Sequence, residues 1–190
     1  MKYRIPLEPE RRAGTSANGG PLPEPCWLHV VPDAIPARLR GRNQWVVWRG
    51  ERRDGRTTKV PYQVAHPSRH AAVSDPTTWG TFDDAVRVQG SASRQLAGVG
   101  YVLTREDGLV GIDLDHCRDR KTGTIAPWAL AIVRRIDSYT EVSPSGTGLR
   151  IFARGVLPPE GRRKGLIEMY DGGRYLTLTG HRISGDGDLT

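Results

Sequence analysis

Short apolar runs separated by polar turns recur from residue 43 to residue 183, a pattern typical of β-strands. NQWVVWRG and TTKVPYQV flank the polar turn RRDGR and predict a β-hairpin. AGVGYVLT and LVGIDLDHC flank the turn-forming REDG and predict a second antiparallel hairpin. Further strands are predicted in SYTEV, GLRIFARG, LIEMY and RYLTLTGH.

Two segments have the pattern of helices. In SDPTTWGTFDDAVRVQG, Thr81 is placed to cap a helix that carries Asp84 in its first turn. The helix faces are expected to be formed by Phe82, Ala85, Val86 and Gln89.

In PWALAIVRRIDS, Pro127 suits the first turn, and Trp128, Ile132 and Ile136 recur at four-residue spacing. The order of these elements predicts an α+β domain. We expect the helices to cover one face of a sheet and to leave the other face open to a substrate.

A chain of 190 residues with 23 Gly and 14 Pro favours one compact domain of short elements. Residues 1–25 lack apolar periodicity and are expected to form a flexible arm. The folded domain is expected to span residues 26–184, with a tail at 185–190.

The formal charge of +7 and the isoelectric point near 9.8 favour an anionic partner. No stretch approaches the roughly 18 apolar residues of a spanning helix, so nucleic acid is favoured over membrane. Cys26 and Cys117 are too few for a disulfide framework or a four-cysteine zinc site, and a reducing cytoplasm is expected.

Two acids on an apolar strand are the strongest sign of chemistry. Asp113 and Asp115 alternate with Ile112 and Leu114, so both carboxylates are expected on one face of the strand. Glu168 interrupts another apolar strand, where an ionised side chain needs a partner. Three such carboxylates predict a site for Mg²⁺ or Mn²⁺.

Simpler interpretations of these acids remain open. Asp113 and Asp115 could lie on a solvated sheet face, and Glu168 could form a salt bridge with Arg150 or Arg174. Asp171 is the alternative third acid, although its DGG context is more typical of a turn.

Three other groups are candidates for anion binding. The turn SPSGTGLR could hold a phosphate, or could be a plain hairpin turn. The basic loop of Arg162, Arg163 and Lys164 could contact nucleic acid, or could simply be solvated. Lys59 is a further candidate for a nucleic-acid contact. The nucleotide-binding candidates are Ser145, Gly146, Gly148, Arg150, Arg174 and His181, and the nucleic-acid-binding candidates are Lys59, Arg162, Arg163 and Lys164.

Four motifs, SDPTTWGTFDDA, GVGYVLTREDGLVGIDLDHC, SYTEVSPSGTGLRIF and RRKGLIEMYDGGRYLTLTGHR, occur in this order. Together they resemble the primase-polymerase domain of the archaeo-eukaryotic primase superfamily, in its phage and plasmid branch. The resemblance implies a primase-like catalytic core with an antiparallel sheet of RNA-recognition-motif type. A smaller N-terminal α/β unit is expected beside it.

The resemblance also implies partners and a location. The substrates would be a single-stranded DNA template or primer and nucleoside triphosphates, with Mg²⁺ or Mn²⁺ as cofactor. A replicative helicase is a further expected partner. The expected location is the cytoplasm of a bacterium or of a phage-infected cell.

By the same resemblance, Asp113, Asp115 and Glu168 hold the metals, and the motif from Ser145 to Arg150 contacts the triphosphate. The family motif usually ends in histidine, as in SGTGLH, where this chain has Arg150. Arginine binds phosphate through two hydrogen bonds, but it stays charged and cannot exchange a proton.

The leading hypothesis is therefore template-directed nucleotidyl transfer by a DNA primase, a DNA polymerase or both, with two metal ions. Because of Arg150, a catalytically silent module that binds nucleic acid or nucleotide is the alternative. A metal-dependent nuclease that uses the same carboxylates is a third hypothesis.

Overall fold

The computed structural model describes residues 26–91, 96–158, 162–184 and 189–190. It confirms the α+β class, with two antiparallel sheets and few helices. The four-stranded first sheet has the order β2-β1-β3-β9, and the six-stranded second sheet has the order β10-β5-β6-β4-β8-β7. The single open sheet that the element order predicted is thus two sheets.

The first sheet is built from three early strands and one late strand. Its strands are β1 (Trp45–Arg53), β2 (Arg56–Tyr62), β3 (Gly98–Leu103) and β9 (Arg174–Leu178). The predicted β1–β2 hairpin is confirmed, and its tight turn at Asp54 and Gly55 has positive φ at both positions, as hairpin turns favour.

The second sheet collects strands from the C-terminal half around β4. Its strands are β4 (Leu109–Leu114), β5 (Thr140–Val142), β6 (Leu149–Arg154), β7 (Arg163–Lys164), β8 (Ile167–Tyr170) and β10 (Arg182–Ser184). The predicted strands in SYTEV, GLRIFARG, LIEMY and RYLTLTGH are confirmed as β5, β6, β8 and β9.

The predicted hairpin between β3 and β4 is wrong. β3 pairs with β1 and β9, whereas β4 pairs with β6 and β8, so the two strands belong to different sheets. The connection is a 3₁₀ turn at Arg105–Asp107, closed by a capping box between Thr104 and Asp107. The Asp107 carboxylate also accepts a hydrogen bond of 2.8 Å from Gln44 Nε2. These bonds turn the chain out of the first sheet instead of folding it back.

A short helix, α1 (Ala37–Arg40), precedes β1. Helix α2 (Phe82–Ser91) begins where the sequence predicts. Thr81 Oγ1 accepts from the Asp84 backbone N–H at 3.2 Å and donates to the Asp84 carboxylate at 2.8 Å. Phe82 and Ala85 are buried, and the Phe82 ring lies 4.7 Å from the Trp45 ring of β1. The helix therefore covers the core face of the first sheet.

Helix α3 (Pro127–Ile136) begins at the predicted proline. Ile132 and Ile136 of the predicted face pack, partly buried, against the apolar cluster of β4, but Trp128 does not. Ala129 and Val133 are its buried residues, and Trp128 is 38% exposed. Ala129 and Val133 belong to the same apolar cluster as Ile112 and Leu114 of β4. The helix thus covers the face of β4 that lies opposite Asp113.

The two sheets meet at Gly111 of β4. A Cβ atom at this position would clash with Leu176 Cδ1 and would lie 2.8 Å from Leu103 Cδ1, both on the first sheet. Side chains two residues apart on a strand share a face, so this contact face continues to Asp113. The first sheet therefore packs against the face of β4 that carries Gly111 and Asp113.

The described segment before β1 and the last two residues of the chain also contact the two sheets. The Leu28 backbone N–H donates to Pro144 O at 2.9 Å, and the Val31 N–H donates to Thr179 O at 2.7 Å. At the other end Leu189 is 2% exposed, and Thr190 O accepts from the Arg154 N–H at 2.8 Å. The last two residues of the predicted tail are thus packed. The predicted arm and residues 185–188 of the tail lie outside the described residues.

Among the described residues, no helix is both long enough and apolar enough to cross a membrane.

We predict that Gly111→Ala destabilises the protein by about 1–3 kcal/mol, because the added methyl group overpacks the contact with Leu103 and Leu176. Urea unfolding followed by tryptophan fluorescence measures this change. Gly90→Ala is the control, because a Cβ atom there meets nothing within 4 Å. It should stabilise α2 by about 0.5–1 kcal/mol. Equal unfolding midpoints for the two variants would contradict the close contact.

Candidate metal and nucleotide site

Charged side chains form one row across the second sheet, with one residue on each strand. Each residue is the direct register partner of the next, so all lie on the same face of the sheet. The charged row comprises, in order, Arg182, Glu141, Arg150, Asp113, Glu168 and Arg163. Within the row the signs alternate except at Asp113 and Glu168, where two carboxylates lie side by side.

Glu141 and Arg150 are the buried members of the charged row, with 0% and 5% exposure. The Glu141 carboxylate accepts from the Tyr139 hydroxyl at 2.7 Å and from the backbone N–H groups of Thr179 and Gly180. Burial raises the pKa of Glu141, although these hydrogen bonds oppose the shift. The acid therefore fixes the end of β9 against β5.

Arg150 connects the two sheets. Its Nε atom donates to Asp113 Oδ1 at 2.5 Å, and its Nη1 atom donates to the carbonyl and hydroxyl oxygens of Thr177 on β9. Burial alone would lower the pKa of Arg150, but the Asp113 carboxylate raises it above its ordinary value. In this conformation the guanidinium is committed to Asp113 and Thr177.

The acidic part of the site lies at the junction of β4 and β8. Asp113 is opposite Glu168, and Asp115 follows directly after β4. Burial raises the pKa of Asp115, and the charges of Asp113 and Glu168 raise it further. Within the described part of the chain, the Asp115 side chain has no hydrogen bond or ion pair.

Glu168 already has partners of its own. Its carboxylate lies 3.1 Å from Arg163 Nη1 and accepts a hydrogen bond from the Tyr170 hydroxyl. The predicted alternative of a salt bridge on Glu168 is thus present, but the partner is Arg163 instead of Arg150 or Arg174. Arg163 is 73% exposed, so this ion pair is a weak restraint.

The donor set fits a hard divalent cation in chemistry and charge. It offers carboxylate oxygens alone, and the mutual repulsion that raises the pKa of Asp115 would be relieved by a cation. As positioned, however, no three carboxylate, imidazole or thiolate side chains among the described residues form a ready-made metal-binding group. The ligand set Asp113, Asp115 and Glu168 therefore stays a prediction.

A cleft of about 760 Å³ opens beside the charged row and lies within the usual range for ligand sites. Residues of both sheets line it. The polar ones that matter here are Lys59, Asp113, Arg150, Arg174, Tyr175 and Thr177. Lys59, Arg150 and Arg174 thus line the same cleft as Asp113.

Lys59 enters this cleft from β2. Its Nζ atom lies 5.6 Å from the centre of the Trp27 ring, and its backbone carbonyl accepts from the Tyr175 hydroxyl at 2.7 Å. Burial lowers the pKa of Lys59 to about 8, and the charge of Arg150 acts in the same direction. The charges of Asp113 and Asp115 oppose the shift, in keeping with the position of Lys59 in the cleft that Asp113 also lines.

The turn of Ser145, Gly146 and Gly148 lies against the acidic site. A Cβ atom on Gly148 would lie 2.7 Å from Leu114 O and 3.6 Å from the Asp115 Cα atom. The turn's amides already have partners, since the Gly146 N–H donates to Ser143 O and the Gly148 N–H to Ser143 Oγ. The Ser145 hydroxyl also has partners, since it lies 3.1 Å from Ser143 Oγ and 2.9 Å from Thr147 Oγ1. The plain-turn interpretation therefore accounts for these bonds, and a phosphate contact at Ser145 stays a prediction.

The structure brings only some of the predicted basic residues into the cleft. The Arg174 guanidinium lines the cleft and lies 4.9 Å from the centre of the Tyr170 ring. His181 instead contacts the entry segment, residues 26–44 before β1, with its Nε2 atom 2.9 Å from His29 O. Arg162 donates to the buried Asp171 carboxylate at 2.7 Å, and Lys164 is exposed on β7.

Sequence reasoning missed Glu141 and Tyr175. Glu141 has the same signal as Glu168, an acid inside an apolar strand, and this signal could have identified it. Tyr175 has no such signal, because its contact is with another strand: its hydroxyl donates to the Lys59 carbonyl of β2. It packs over Gly100, where a Cβ atom would lie 2.7 Å from the Tyr175 ring.

No protein-family model matches this chain. The chain is 39% identical over 153 residues to a protein named DNA Primase-polymerase from Nitratiruptor phage NrS-1. The match covers 77% of this chain. This chain is thus similar to part of a phage primase-polymerase. The similarity supports the primase-polymerase resemblance of the motifs, although the chain spans only about 20% of the phage protein.

We predict that the cleft binds inorganic pyrophosphate more weakly as the pH rises through about 8, because Lys59 loses its charge there. In Lys59→Arg the decline should be absent over the same range, since guanidinium stays protonated. Isothermal titration calorimetry without added metal measures both affinities. Identical pH dependence in the two proteins would exclude Lys59 from the anion site.

Proposed function

We propose that this chain is a template-directed nucleotidyl transferase, acting as a DNA primase, a DNA polymerase or both. The observation that carries the proposal is the side-by-side placement of Asp113 and Glu168, with Asp115 nearby, next to a basic cleft. The similarity to a protein named DNA Primase-polymerase supports the same chemistry. The substrates would be single-stranded DNA, as template or primer, and nucleoside triphosphates.

In this proposal Asp113, Asp115 and Glu168 hold Mg²⁺ or Mn²⁺. Such ions, when bound, lower the pKa of an attacking hydroxyl and stabilise the charge of a leaving pyrophosphate. The carboxylates supply the oxygen ligands that these ions prefer. Glu168 would exchange its exposed ion pair with Arg163 for a metal contact at little cost.

The basic residues of the cleft would hold the triphosphate and the template. Arg174 and Lys59 face the cleft directly, and we assign the nucleotide's phosphates to them. Ser145 would add a hydroxyl contact from the turn beside Asp115. His181 would act at a greater distance, through the entry segment that it contacts at His29.

Arg150 would be a positioning residue in this site. Its guanidinium holds the Asp113 carboxylate and joins it to Thr177 of the other sheet. Since arginine does not exchange protons near neutral pH, any proton leaving the attacking hydroxyl would pass to solvent or to another group. A role in fixing Asp113 thus replaces the role that histidine would have in the family motif.

The finer family assignment is part of this proposal. We assign the chain to the archaeo-eukaryotic primase superfamily, phage and plasmid branch, with residues 26–184 as the domain. The second sheet with α3 on its reverse face would be the core of RNA-recognition-motif type. The first sheet with α2 would be the smaller N-terminal unit, completed by β9. A replicative helicase partner stays an expectation of the resemblance.

A module that only binds nucleic acid or nucleotide is the second candidate. The ion pair between Arg150 and Asp113 favours it, because the guanidinium occupies a carboxylate oxygen that a metal would need. The nuclease hypothesis uses the same acids but shortens a DNA strand instead of extending it. The products of one assay therefore separate all three functions.

We predict that Asp115→Asn abolishes incorporation of labelled nucleotides on primed and unprimed single-stranded DNA with Mg²⁺ or Mn²⁺. The folded protein should become more stable in the same variant. A carboxyl group whose pKa is raised on folding costs stability as the pH rises through that pKa, and the neutral amide removes this cost. Incorporation and thermal unfolding at neutral pH measure the two effects.

Asp83→Asn is the matched control, because Asp83 is an exposed acid on α2. It should leave incorporation unchanged. Full activity in Asp115→Asn would exclude Asp115 from the site. DNA binding without incorporation by the unmodified chain, with incorporation gained in Arg150→His, would favour the binding-only module. A shortened labelled strand would favour the nuclease.

A further inference from the structure

A second cleft of about 470 Å³ adjoins the cleft beside the charged row, which we call the first cleft. Val73 and Gly173 line both clefts, so the two cavities are contiguous. The second cleft lies between the 3₁₀ turn that leaves β3 and the turn that precedes β9. None of the site residues assigned above requires this second space, apart from Arg162 on its wall.

Gly173 forms the passage between the clefts. It is exposed, its φ is +65°, and a Cβ atom there would meet nothing within 4 Å. Gly172 beside it is tightly packed, since a Cβ atom would lie 3.1 Å from Arg105 Cγ and 3.2 Å from the Arg105 N atom. The floor of the passage is thus two closely packed turns, and its surface at Gly173 has no side chain.

Two arginines, Arg105 and Arg162, and one acid, Glu106, lie on the wall of the second cleft. Arg105 is exposed and forms no side-chain hydrogen bond or ion pair with the residues that the structure describes. Arg162 donates to Asp171. Burial alone would raise the pKa of Asp171, but the Arg162 hydrogen bond and the charge of Arg105 help to hold it below its ordinary value. Asp171 therefore fixes Arg162, whereas Arg105 lines the cleft without a hydrogen-bonded partner among the described residues.

We propose that a single strand of nucleic acid runs from the first cleft across Gly173 and places a backbone phosphate at Arg105. The inference rests on the proposed function, which puts the nucleotide's phosphates at Lys59 and Arg174. An exposed arginine at the far end of a continuous groove is the usual contact for a strand backbone. The passage without a side chain leaves room for the sugar and base between the two clefts.

A strand fits these clefts better than a second part of the same nucleotide. The phosphates of one nucleoside triphosphate are contiguous, and the cationic groups of the first cleft already suffice for them. Arg105 lies beyond Gly173, in the other cavity. Contacts at successive phosphates of a strand require such a series of separated cationic groups.

The first test is the salt dependence of binding to a fluorescent oligothymidylate, measured by anisotropy in EDTA with the full chain. In Arg105→Ala the affinity should fall several-fold, and the slope of log K against log salt should fall by about 0.7, the value for one lost phosphate contact on a single strand. Arg135→Ala is the control, because Arg135 is exposed on α3, behind the second sheet. It should leave affinity and slope unchanged.

The second test places a side chain in the passage. Asparagine tolerates positive φ, so Gly173→Asn should fold while it narrows the groove. Gly55→Asn is the matched control, with φ +76° and nothing within 4 Å at the tip of the β1–β2 hairpin. We expect Gly173→Asn to weaken binding of the oligothymidylate several-fold and Gly55→Asn to leave it unchanged. Thermal unfolding verifies that both variants fold.

The outcomes separate this inference from the proposed function, because binding in EDTA needs no catalysis. Unchanged oligonucleotide affinity in both Arg105→Ala and Gly173→Asn would overturn the strand path, whatever the chain's incorporation activity. Weaker binding of inorganic pyrophosphate in Arg105→Ala, with oligonucleotide affinity intact, would place a nucleotide's phosphates at Arg105 and would also overturn it. Selective loss of strand binding in a chain without incorporation activity would support the groove and reject the enzyme.

Discussion

The pairing of Arg150 with Asp113 is the interaction on which the site's geometry depends. Arg150 is almost fully buried, and its other hydrogen bonds go to Thr177 on the first sheet. One guanidinium thus orients a carboxylate of one sheet and joins that sheet to the other. Removing one partner of such a buried pair typically costs about 3–5 kcal/mol, because the remaining charge has no counterion.

The rest of the charged row follows from this pairing. Glu141 balances Arg150 on one side, whereas Asp113 faces Glu168 on the other, with Asp115 close by. In the charged row, the opposite charges of Glu141 and Arg150 are therefore paired at the buried end. The like charges of Asp113 and Glu168 lie side by side next to the cleft. Like charges directly across a ladder are unfavourable, and a site that keeps them is suited to a cation.

The sequence predicted local elements well, because their signals are local. The Thr81 cap, the β1–β2 hairpin and the alternation of Asp113 with Ile112 depend only on near neighbours. The prediction of a β3–β4 hairpin failed because a polar turn that contains glycine can join two strands of one sheet or two strands of different sheets. The long-range bond from Gln44 to Asp107 decided between them.

The candidate site shows the same division. The acids were predictable from charges inside apolar strands, but their partners were not, since strand order determines them. Arg150 was expected to face phosphate, yet the register places it opposite Asp113. Lys59 was expected to contact template only, and the first sheet brings it into the cleft that Asp113 also lines. The position of Arg150 depends on strand order within the second sheet. The position of Lys59 depends on how the two sheets meet, as they do at Gly111.

Direct binding of Mn²⁺, followed by the loss of its free electron paramagnetic resonance signal, tests the central claim that Asp113, Asp115 and Glu168 form a divalent-cation site. The account predicts that the unmodified chain binds Mn²⁺ and that Asp115→Asn and Glu168→Gln each weaken binding at least about tenfold, as expected when a metal ligand is lost. Asp83→Asn should bind as the unmodified chain does. Equal Mn²⁺ affinity in all four proteins, or no binding by the unmodified chain, would contradict it.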